Sequence, residues 1–269
     1  MNMENLEIGI LIPAFLAGML VLATHVPLGQ QVLNRGIVFI DLAIAQVAGL
    51  GVTAASALGF EAEGWRVQAA AIGAALIGAF VLTWTEKIWP EVQEALIGVL
   101  FVVAACIELL ILANNPHGGE HLKDLLVGQI LWVQPQQLIP IAVLYAVALL
   151  AWFTIRNRIG QIGFYILFAL VVTQSVQLVG IYLVFASLIV PALAAKRFAE
   201  PWRLVVGYAV GIVGYVSGLV VSALFDLPTG AVIVVTLLGT MILAVLLALA
   251  LPKGARAPRP AGAVAHAAE

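Results

Sequence analysis

The sequence predicts an all-α polytopic membrane protein with eight apolar elements, one of them a broken hairpin, giving eight or nine crossings. Hydrophobic residues make up 63% of the 269 residues, only 10% are charged, and the mean hydropathy is +1.12. Soluble domains are about 45–50% apolar and about 25% charged. The apolar residues also fall in runs close to the ~20 residues that a helix needs to cross the hydrocarbon of a bilayer.

The elements follow one another through short connectors that hold nearly all of the charge. The ordinary apolar runs cover residues 8–23, 37–60, 67–85, 95–113, 138–153, 204–224 and 230–251. After them comes a Pro/Ala/Gly-rich segment without apolar periodicity. We therefore predict a transmembrane domain over residues 1–251 and a disordered tail over residues 252–269.

The remaining element, residues 163–195, is apolar for 33 residues but is interrupted by polar residues and glycine at 173–180. One straight helix of that length would be about 50 Å long, and it would fit a hydrocarbon layer of about 30 Å only with a tilt of roughly 50°. Two complete spans need about 40 residues. We therefore predict a helix that breaks and folds back near residues 174–180, with Pro191 kinking the returning part. Transporters place ligand sites at such breaks, which favours a transport function.

The positions of Lys and Arg indicate the orientation. If residues 163–195 return to the side from which they entered, Arg66 and Lys123 lie on one side of the membrane and the other ten Lys and Arg residues lie on the opposite side. If residues 163–195 cross only once, four Lys and Arg residues lie on one side and eight on the other. The positive-inside rule favours the first arrangement. We predict a multi-pass protein of the plasma (inner) membrane, with the C-terminus in the cytoplasm and the N-terminus and the loop 114–124 outside.

Other features exclude classes of function. The runs leave no room for a nucleotide-binding domain, and the sequence contains no Walker-type phosphate-binding motif. The single cysteine excludes a disulfide framework. The acidic N-terminus lacks the basic region of a cleavable signal peptide, so the first run is expected to be a permanent helix. We predict no catalytic residue, no permanently bound cofactor and no nucleic-acid partner.

Four polar residues inside the apolar elements are candidates for a transport pathway. Asp41 lies one turn inside the second run, where a carboxylate is costly unless it has a function; its alternative is an interfacial ion pair with Arg35 or a helix cap. Glu108 lies deeper and could ligate a cation, carry a proton, or hydrogen-bond between helices. Gln174 and Gln177 share one helical face at the predicted break, where they could meet a substrate or satisfy opened backbone groups.

Histidines form the second group of candidates. Two imidazoles and two carboxylates lie within eight residues of the loop after the fourth run, a mixture that suits zinc or manganese; the loop could otherwise simply be solvated. This predicted external metal-attracting site consists of His117, Glu120, His121 and Asp124. The isolated His25 is expected either near the pathway or, as the favoured interpretation, as an interfacial cap.

Several stretches of the chain resemble the integral-membrane permeases of zinc-, manganese- and iron-type ABC importers. The main stretches are LVGIYLVFASLIVPALAAKRFA at 178–199 and SALFDLPTGAVIVV at 222–235. Shorter ones are PLGQQVLNRGIVFIDLAIAQ at 27–46, EALIGVLF at 94–101 and LLVGQILWV at 125–133. They occur in the family's order and cover most of residues 10–250.

The resemblance implies a metal path on the second helix, where family members carry an Asp and a His four residues apart. Here Asp41 is present, but Ala45 occupies the second position. Gln46 follows it and is a further candidate for the transport pathway, although an amide is a poorer ligand than an imidazole for zinc or manganese. The family also has a long cytoplasmic coupling segment, whereas this chain has only residues 153–163 there. Arg156 and Arg158 in that connector are orientation signals or contacts with an ATPase or anionic lipid.

The sequence therefore predicts the permease subunit of an ABC transporter that imports a divalent transition metal: zinc, manganese or iron. The expected partners are an ABC ATPase subunit, an external metal-binding protein, a second copy of the permease and the lipid bilayer. The alternative is a secondary transporter or channel for a cation without an ATPase, with Glu108 as its proton or cation site.

Overall fold

The computed structural model describes residues 8–60, 64–112, 126 and 128–250, and within these residues the regular structure is entirely helical. The helices are α1 (Ile8–Arg35), α2 (Ile40–Ala57), α3 (Trp65–Ile88), α4 (Gln93–Leu112), α5 (Pro135–Val179), α6 (Ile181–Ala195), α7 (Glu200–Phe225) and α8 (Thr229–Ala250). Gly160, with φ 64° and ψ −164°, divides α5 into two arms. Counting these arms separately, eight segments of the described chain are long and apolar enough to cross a membrane, and α6 is a shorter apolar helix. The predicted all-α polytopic fold is confirmed.

The predicted break lies at Gly180, between α5 and α6. Gly180 has φ 83° and ψ 161°, a conformation that L side chains rarely adopt, and it ends one helix and begins the next. The preceding residues 174–179 stay helical, so the break falls at the last position of the predicted window. The 15 residues of α6 extend about 22 Å, less than the roughly 30 Å of hydrocarbon. The element is therefore a full span followed by a short return helix.

A second glycine allows the chain before α5 to reach this break. Gly128 has φ 71°, and a Cβ atom built on it would lie 2.2 Å from the carbonyl carbon of Val179. Only glycine permits both the positive φ and this backbone approach. The short 3₁₀ helix Ile130–Trp132 follows, with Ile130 buried. The break is thus covered by protein, as irregular backbone in a membrane must be.

Helix α1 is much longer than its apolar run predicts. The run ends at residue 23 because Thr24, His25 and Pro27 follow it, yet the helix continues to Arg35. Pro27 has no N–H to donate to the carbonyl oxygen of Ala23, and the hydroxyl of Tyr208 on α7 donates to that oxygen instead, at 2.9 Å. A tertiary hydrogen bond therefore satisfies the group that proline leaves open.

Contacts between helices fix their relative directions. Helices α1 and α7 are antiparallel, as the contacts Gly18–Tyr215, Leu22–Gly211 and Val26–Gly207 show. Helices α7 and α8 are also antiparallel, from the contacts Gly214–Leu237 and Gly218–Ile233. In each pair a glycine on one helix allows the close approach that is common between membrane helices.

The two ends of the bundle differ in their number of Lys and Arg residues. Along α3 and the second arm of α5, Gln68 bonds to Gln177 at one end and Glu86 to Tyr165 at the other. The guanidinium of Arg35 lies 4.4 Å from the ring centroid of Phe164, which places the end of α1 beside Tyr165. We call the end with Arg35, Glu86 and Tyr165 the basic end and the end with Gln68 and Gln177 the amide end. Among the described Lys and Arg side chains, Arg66 lies at the amide end, and the others lie at the basic end: Arg35, Lys87, Lys196, Arg197 and Arg203.

This arrangement leads to a labelling prediction. In a chain with Cys106→Ser, single cysteines introduced as Gly64→Cys at the amide end and Ala199→Cys at the basic end should react from opposite sides of the membrane. A membrane-impermeant maleimide added outside intact cells should label only Gly64→Cys, because the basic end is expected in the cytoplasm. Labelling of both variants from outside would contradict the returning path of α5 and α6.

Candidate functional site: a buried carboxylate beside the return helix

Asp41 is the most unusual polar residue in the described structure. It lies in the first turn of α2, is 1% exposed, and neither of its carboxylate oxygens has a hydrogen-bond partner among the described residues. The expected alternative, an interfacial ion pair with Arg35, is not found, because the Arg35 guanidinium lies over the ring of Phe164. Burying a carboxylate in a membrane costs about 2.5–3.5 kcal/mol or more. A group left in this state is suited to bind a cation that visits the site.

The first turn of α2 lies against the short return helix α6. The rings of Phe39 and Phe185 stack, with centroids 6.4 Å apart and an interplanar angle of 3°. Leu42 also shares with α6 residues the lining of an apolar cavity of about 450 Å³. Asp41, between Phe39 and Leu42 in the chain, is therefore held beside the helix that follows the break.

The other faces of α2 show which way Asp41 points. Ile44 and Val47 contact Gly78 of α3, and Gln46 and Thr53 contact α4. At about 100° per residue, Asp41 projects between these two faces. Helix α2 also contacts the long helix α5 and the return helix α6. The structure thus directs the carboxylate into the bundle and not toward lipid.

Glu108 and Gln46, both predicted in the pathway, are bonded to each other. The Gln46 amide donates to one Glu108 carboxylate oxygen, and the Thr53 hydroxyl donates to the other at 2.7 Å. Glu108 is 1% exposed and packs over Gly49, where a Cβ would lie 3.7 Å from its Oε1. Of the interpretations given for Glu108, hydrogen bonding between helices describes this geometry best. The cluster joins α2, which carries Asp41, to α4.

The predicted pair Gln174 and Gln177 forms a further tie. Gln174 donates to the Gln68 side-chain oxygen at 3.3 Å, and Gln68 donates to the Gln177 side-chain oxygen. The two glutamines do share one face, as predicted, but they bond to α3 instead of to opened backbone groups. Ser175, between these two glutamines, bonds to Tyr145 of the first arm and so holds the two arms of α5 together.

Polar contacts also join four helices at the basic end. The Tyr165 hydroxyl donates to Glu86, the Thr85 hydroxyl donates to the Gln93 side-chain oxygen at 3.0 Å, and the Gln93 amide donates to the carbonyl of Leu82 at 3.0 Å. Together with the Arg35–Phe164 contact, they connect α1, α3, α4 and α5 a few residues after the Gly160 bend. The residues that follow this bend are therefore linked to α3, and through α3 to α4.

His25 is not the interfacial cap that its sequence position favoured. It is 0% exposed within α1, its Nδ1 lies 2.9 Å from the carbonyl oxygen of Val21, and its Nε2 has no partner in the described part of the chain. Sequence reasoning misassigned it because α1 was expected to end at residue 23. It also missed Thr53 and Gln68, although Thr53 lies seven residues after Gln46 on the same face.

Some predicted residues cannot be placed. The loop residues His117, Glu120, His121 and Asp124 and the tail 252–269 lie outside the described residues. Arg156 and Arg158 belong to α5 just before Gly160, but their side chains also lie outside the description. Over the ranges that are described, no group of three or more His, Cys, Asp or Glu residues is arranged to hold a metal ion.

A polytopic helical bundle with a protein-covered helix break, and a buried carboxylate without a described partner beside the return helix, has the architecture of a membrane transport protein. The chain belongs to the ABC 3 transport family, whose model matches residues 7–164 and 154–248. The family resemblance found in the sequence is confirmed. The chain is accordingly a transport subunit and not a catalytic enzyme, and membership of an ABC family implies an ATPase partner and a substrate-binding partner.

Individual relatives agree with this assignment. The chain is 26% identical over 247 residues to the high-affinity zinc uptake system membrane protein ZnuB of Haemophilus influenzae, covering 84% of this chain and 93% of that protein. It is 25% identical over 205 residues to the chelated iron transport system membrane protein YfeC of Yersinia pestis, covering 68% of each. The solved structure of PsaBC from Streptococcus pneumoniae in complex with Fab has the same fold, with a TM-score of 0.69, 22% identity, and coverage of 87% of this chain and 89% of that one.

Proposed function

We propose that this chain is the membrane permease subunit of an ABC importer for a divalent transition metal: zinc, manganese or iron. The observation that carries the proposal is Asp41, a buried carboxylate without a described partner, held beside the return helix α6 of an ABC 3 family fold. The names of the relatives, which concern zinc and chelated iron, support a metal as the substrate.

The positions of the basic residues give the orientation of the path in the proposed importer. With the basic end in the cytoplasm, metal enters at the amide end, passes Asp41 beside α6, and leaves at the basic end. The external loop with its two histidines and two acidic residues collects the metal before it enters. The amide groups of Gln68, Gln174 and Gln177 lie at the entry end, and their hydrogen bonds hold α3 and α5 together there.

The partners act at opposite ends. An external metal-binding protein docks at the amide end, and the ATPase docks at the basic end, where Arg156 and Arg158 contact it. Tyr165 lies five residues after the Gly160 bend and bonds to Glu86 of α3. Movement of the connector formed by residues 153–163 is therefore passed to α3. A second copy of the chain completes the transporter, and no cofactor is permanently bound.

The proposal is tested by expressing the chain with the products of its neighbouring genes in cells that lack their own zinc and manganese importers. We expect radioactive zinc or manganese uptake that requires this chain, and an ATPase subunit that stays bound to it in detergent. The control is the same set of genes with the ATPase inactivated in its nucleotide site. Uptake that persists in this control, with no ATPase recovered, would favour the secondary transporter instead.

A further inference from the structure

The two ring nitrogens of His25 have different environments. The carbonyl oxygen of Val21 can only accept a hydrogen bond, and it lies 2.9 Å from Nδ1. The Thr24 hydroxyl donates to the same carbonyl at 3.1 Å, so the hydroxyl oxygen is left to face Nδ1 at 3.1 Å as an acceptor. The proton of a neutral imidazole is therefore assigned to Nδ1. Nε2 then carries the free lone pair.

The hydrogen bond at Nδ1 is of the kind that metal-binding histidines make with their second ring nitrogen. Histidines that bind metals almost always donate their other ring N–H to a carbonyl, a carboxylate or water, which fixes the tautomer and the ring orientation. Val21 supplies such a carbonyl here. Nε2 is buried, and none of the described residues bonds to it. An imidazole in a membrane interior with one nitrogen satisfied and the other open has a binding site available at that nitrogen.

His25 and Asp41 belong to two helices, α1 and α2, that pack against neighbouring residues of α6. His25 is one turn before Gly29 and so shares its face of α1, and a Cβ on Gly29 would lie 2.0 Å from the carbonyl oxygen of Leu188 in α6. The first turn of α2, which carries Asp41, contacts α6 through Phe185. The unpartnered nitrogen and the unpartnered carboxylate therefore both belong to helices packed on residues 185–188.

The residue that follows Asp41 by one helical turn cannot supply a nitrogen ligand. It is Ala45, which is 1% exposed and apolar. His25 is the only histidine in the part of the chain that the structure describes. We propose that His25 is a metal-contacting, specificity-determining residue of the transport path, supplying a nitrogen ligand to the cation for which Asp41 supplies oxygen. This assignment rests on the proposed function.

The chemistry of the two ligands predicts a change in selectivity. Imidazole nitrogen suits zinc, whereas carboxylate and carbonyl oxygen suit manganese better. A path with His25 and Asp41 should favour zinc, and the same path without the nitrogen should lose zinc transport more than manganese transport. A purely structural role of His25 would instead lower the uptake of both metals by the same factor.

The informative variant is His25→Asn in the complete transporter. The asparagine amide can still donate to the Val21 carbonyl as Nδ1–H does, but nothing replaces Nε2. Groups that merely support metal ligands are worth about 10–100-fold in affinity or activity, so we expect zinc uptake to fall by about tenfold or more. Manganese uptake should fall less. The zinc-to-manganese ratio, measured with both radioactive metals in the same cells, does not depend on how much protein is made.

Two further variants complete the test. Thr24→Val removes the neighbouring hydroxyl but keeps Nε2, and it should leave the ratio unchanged. His25→Gln places an amide near the position of Nε2 and should also shift the ratio toward manganese, which provides a second measurement if His25→Asn is poorly folded. An unchanged ratio in both His25 variants, while the parent transports zinc, would overturn the assignment of His25 alone. If the parent transports none of zinc, manganese and iron, the proposed function itself fails.

Discussion

Replacing Asp41 with asparagine is expected to lower the initial rate of metal uptake by about 100-fold or more. The carboxylate is the buried charge beside α6 that can attract a divalent cation, and its oxygens are not engaged by any residue in the described ranges. Loss of a group that only supports a metal ligand already costs about 10–100-fold. An amide has no charge with which to offset the free energy that the cation loses when it leaves its hydration shell. The measurement is the initial rate of zinc and manganese uptake in cells, corrected for the amount of protein in the membrane.

Stability provides the control for this experiment. A buried carboxylate without a partner is costly in a membrane protein, so removing its charge should leave the thermal stability of the purified protein unchanged or raise it. Asp41→Glu keeps the charge on a longer side chain and should retain part of the uptake. An asparagine variant that transports at the parent rate, or one that loses uptake only because it unfolds, would contradict a role for Asp41 in the path.

The sequence predicts the fold well because hydropathy and charge report directly on the membrane. Apolar runs of spanning length identify the spanning helices, and the length of residues 163–195 together with the basic residues predicts the break now placed at Gly180. The extent of α1 could not be predicted in this way. Where Pro27 lacks a donor, the carbonyl of Ala23 is satisfied by the hydroxyl of Tyr208, which is 185 positions away in the sequence.

The site is less predictable because its contacts are distant in sequence. Asp41 is recognised from its type and depth alone. The bond between Gln46 and Glu108 joins residues 62 positions apart, and nothing in either local sequence indicates that they meet. The open nitrogen of His25 likewise becomes evident only when the Val21 carbonyl is seen to bind the other ring nitrogen. Composition identifies candidate residues, but packing decides which of them are left without a partner.

Glu108 separates the ATP-driven importer from a proton-coupled carrier. Its carboxylate accepts hydrogen bonds from Gln46 and Thr53, so it holds α2 against α4. Glu108→Gln keeps one acceptor oxygen, and the loss of a single hydrogen bond is worth about 0.5–1.5 kcal/mol. In the proposed importer, we expect metal uptake to fall by less than about tenfold, which corresponds to about 1.4 kcal/mol. Glu108→Leu leaves both donors without their acceptor. It should lower the free energy of unfolding by about 1–3 kcal/mol for each donor.

The energy source completes this test. When ATP is depleted while the proton gradient is maintained, uptake by the parent and by Glu108→Gln should both disappear, because the energy enters through the ATPase at the basic end. When an uncoupler removes the gradient and ATP is maintained, both should continue. A proton-coupled carrier must load and release a proton at each cycle, which glutamine cannot do. Uptake that survives ATP depletion, and is lost with Glu108→Gln or with the uncoupler, would therefore contradict the ABC importer and indicate a secondary transporter.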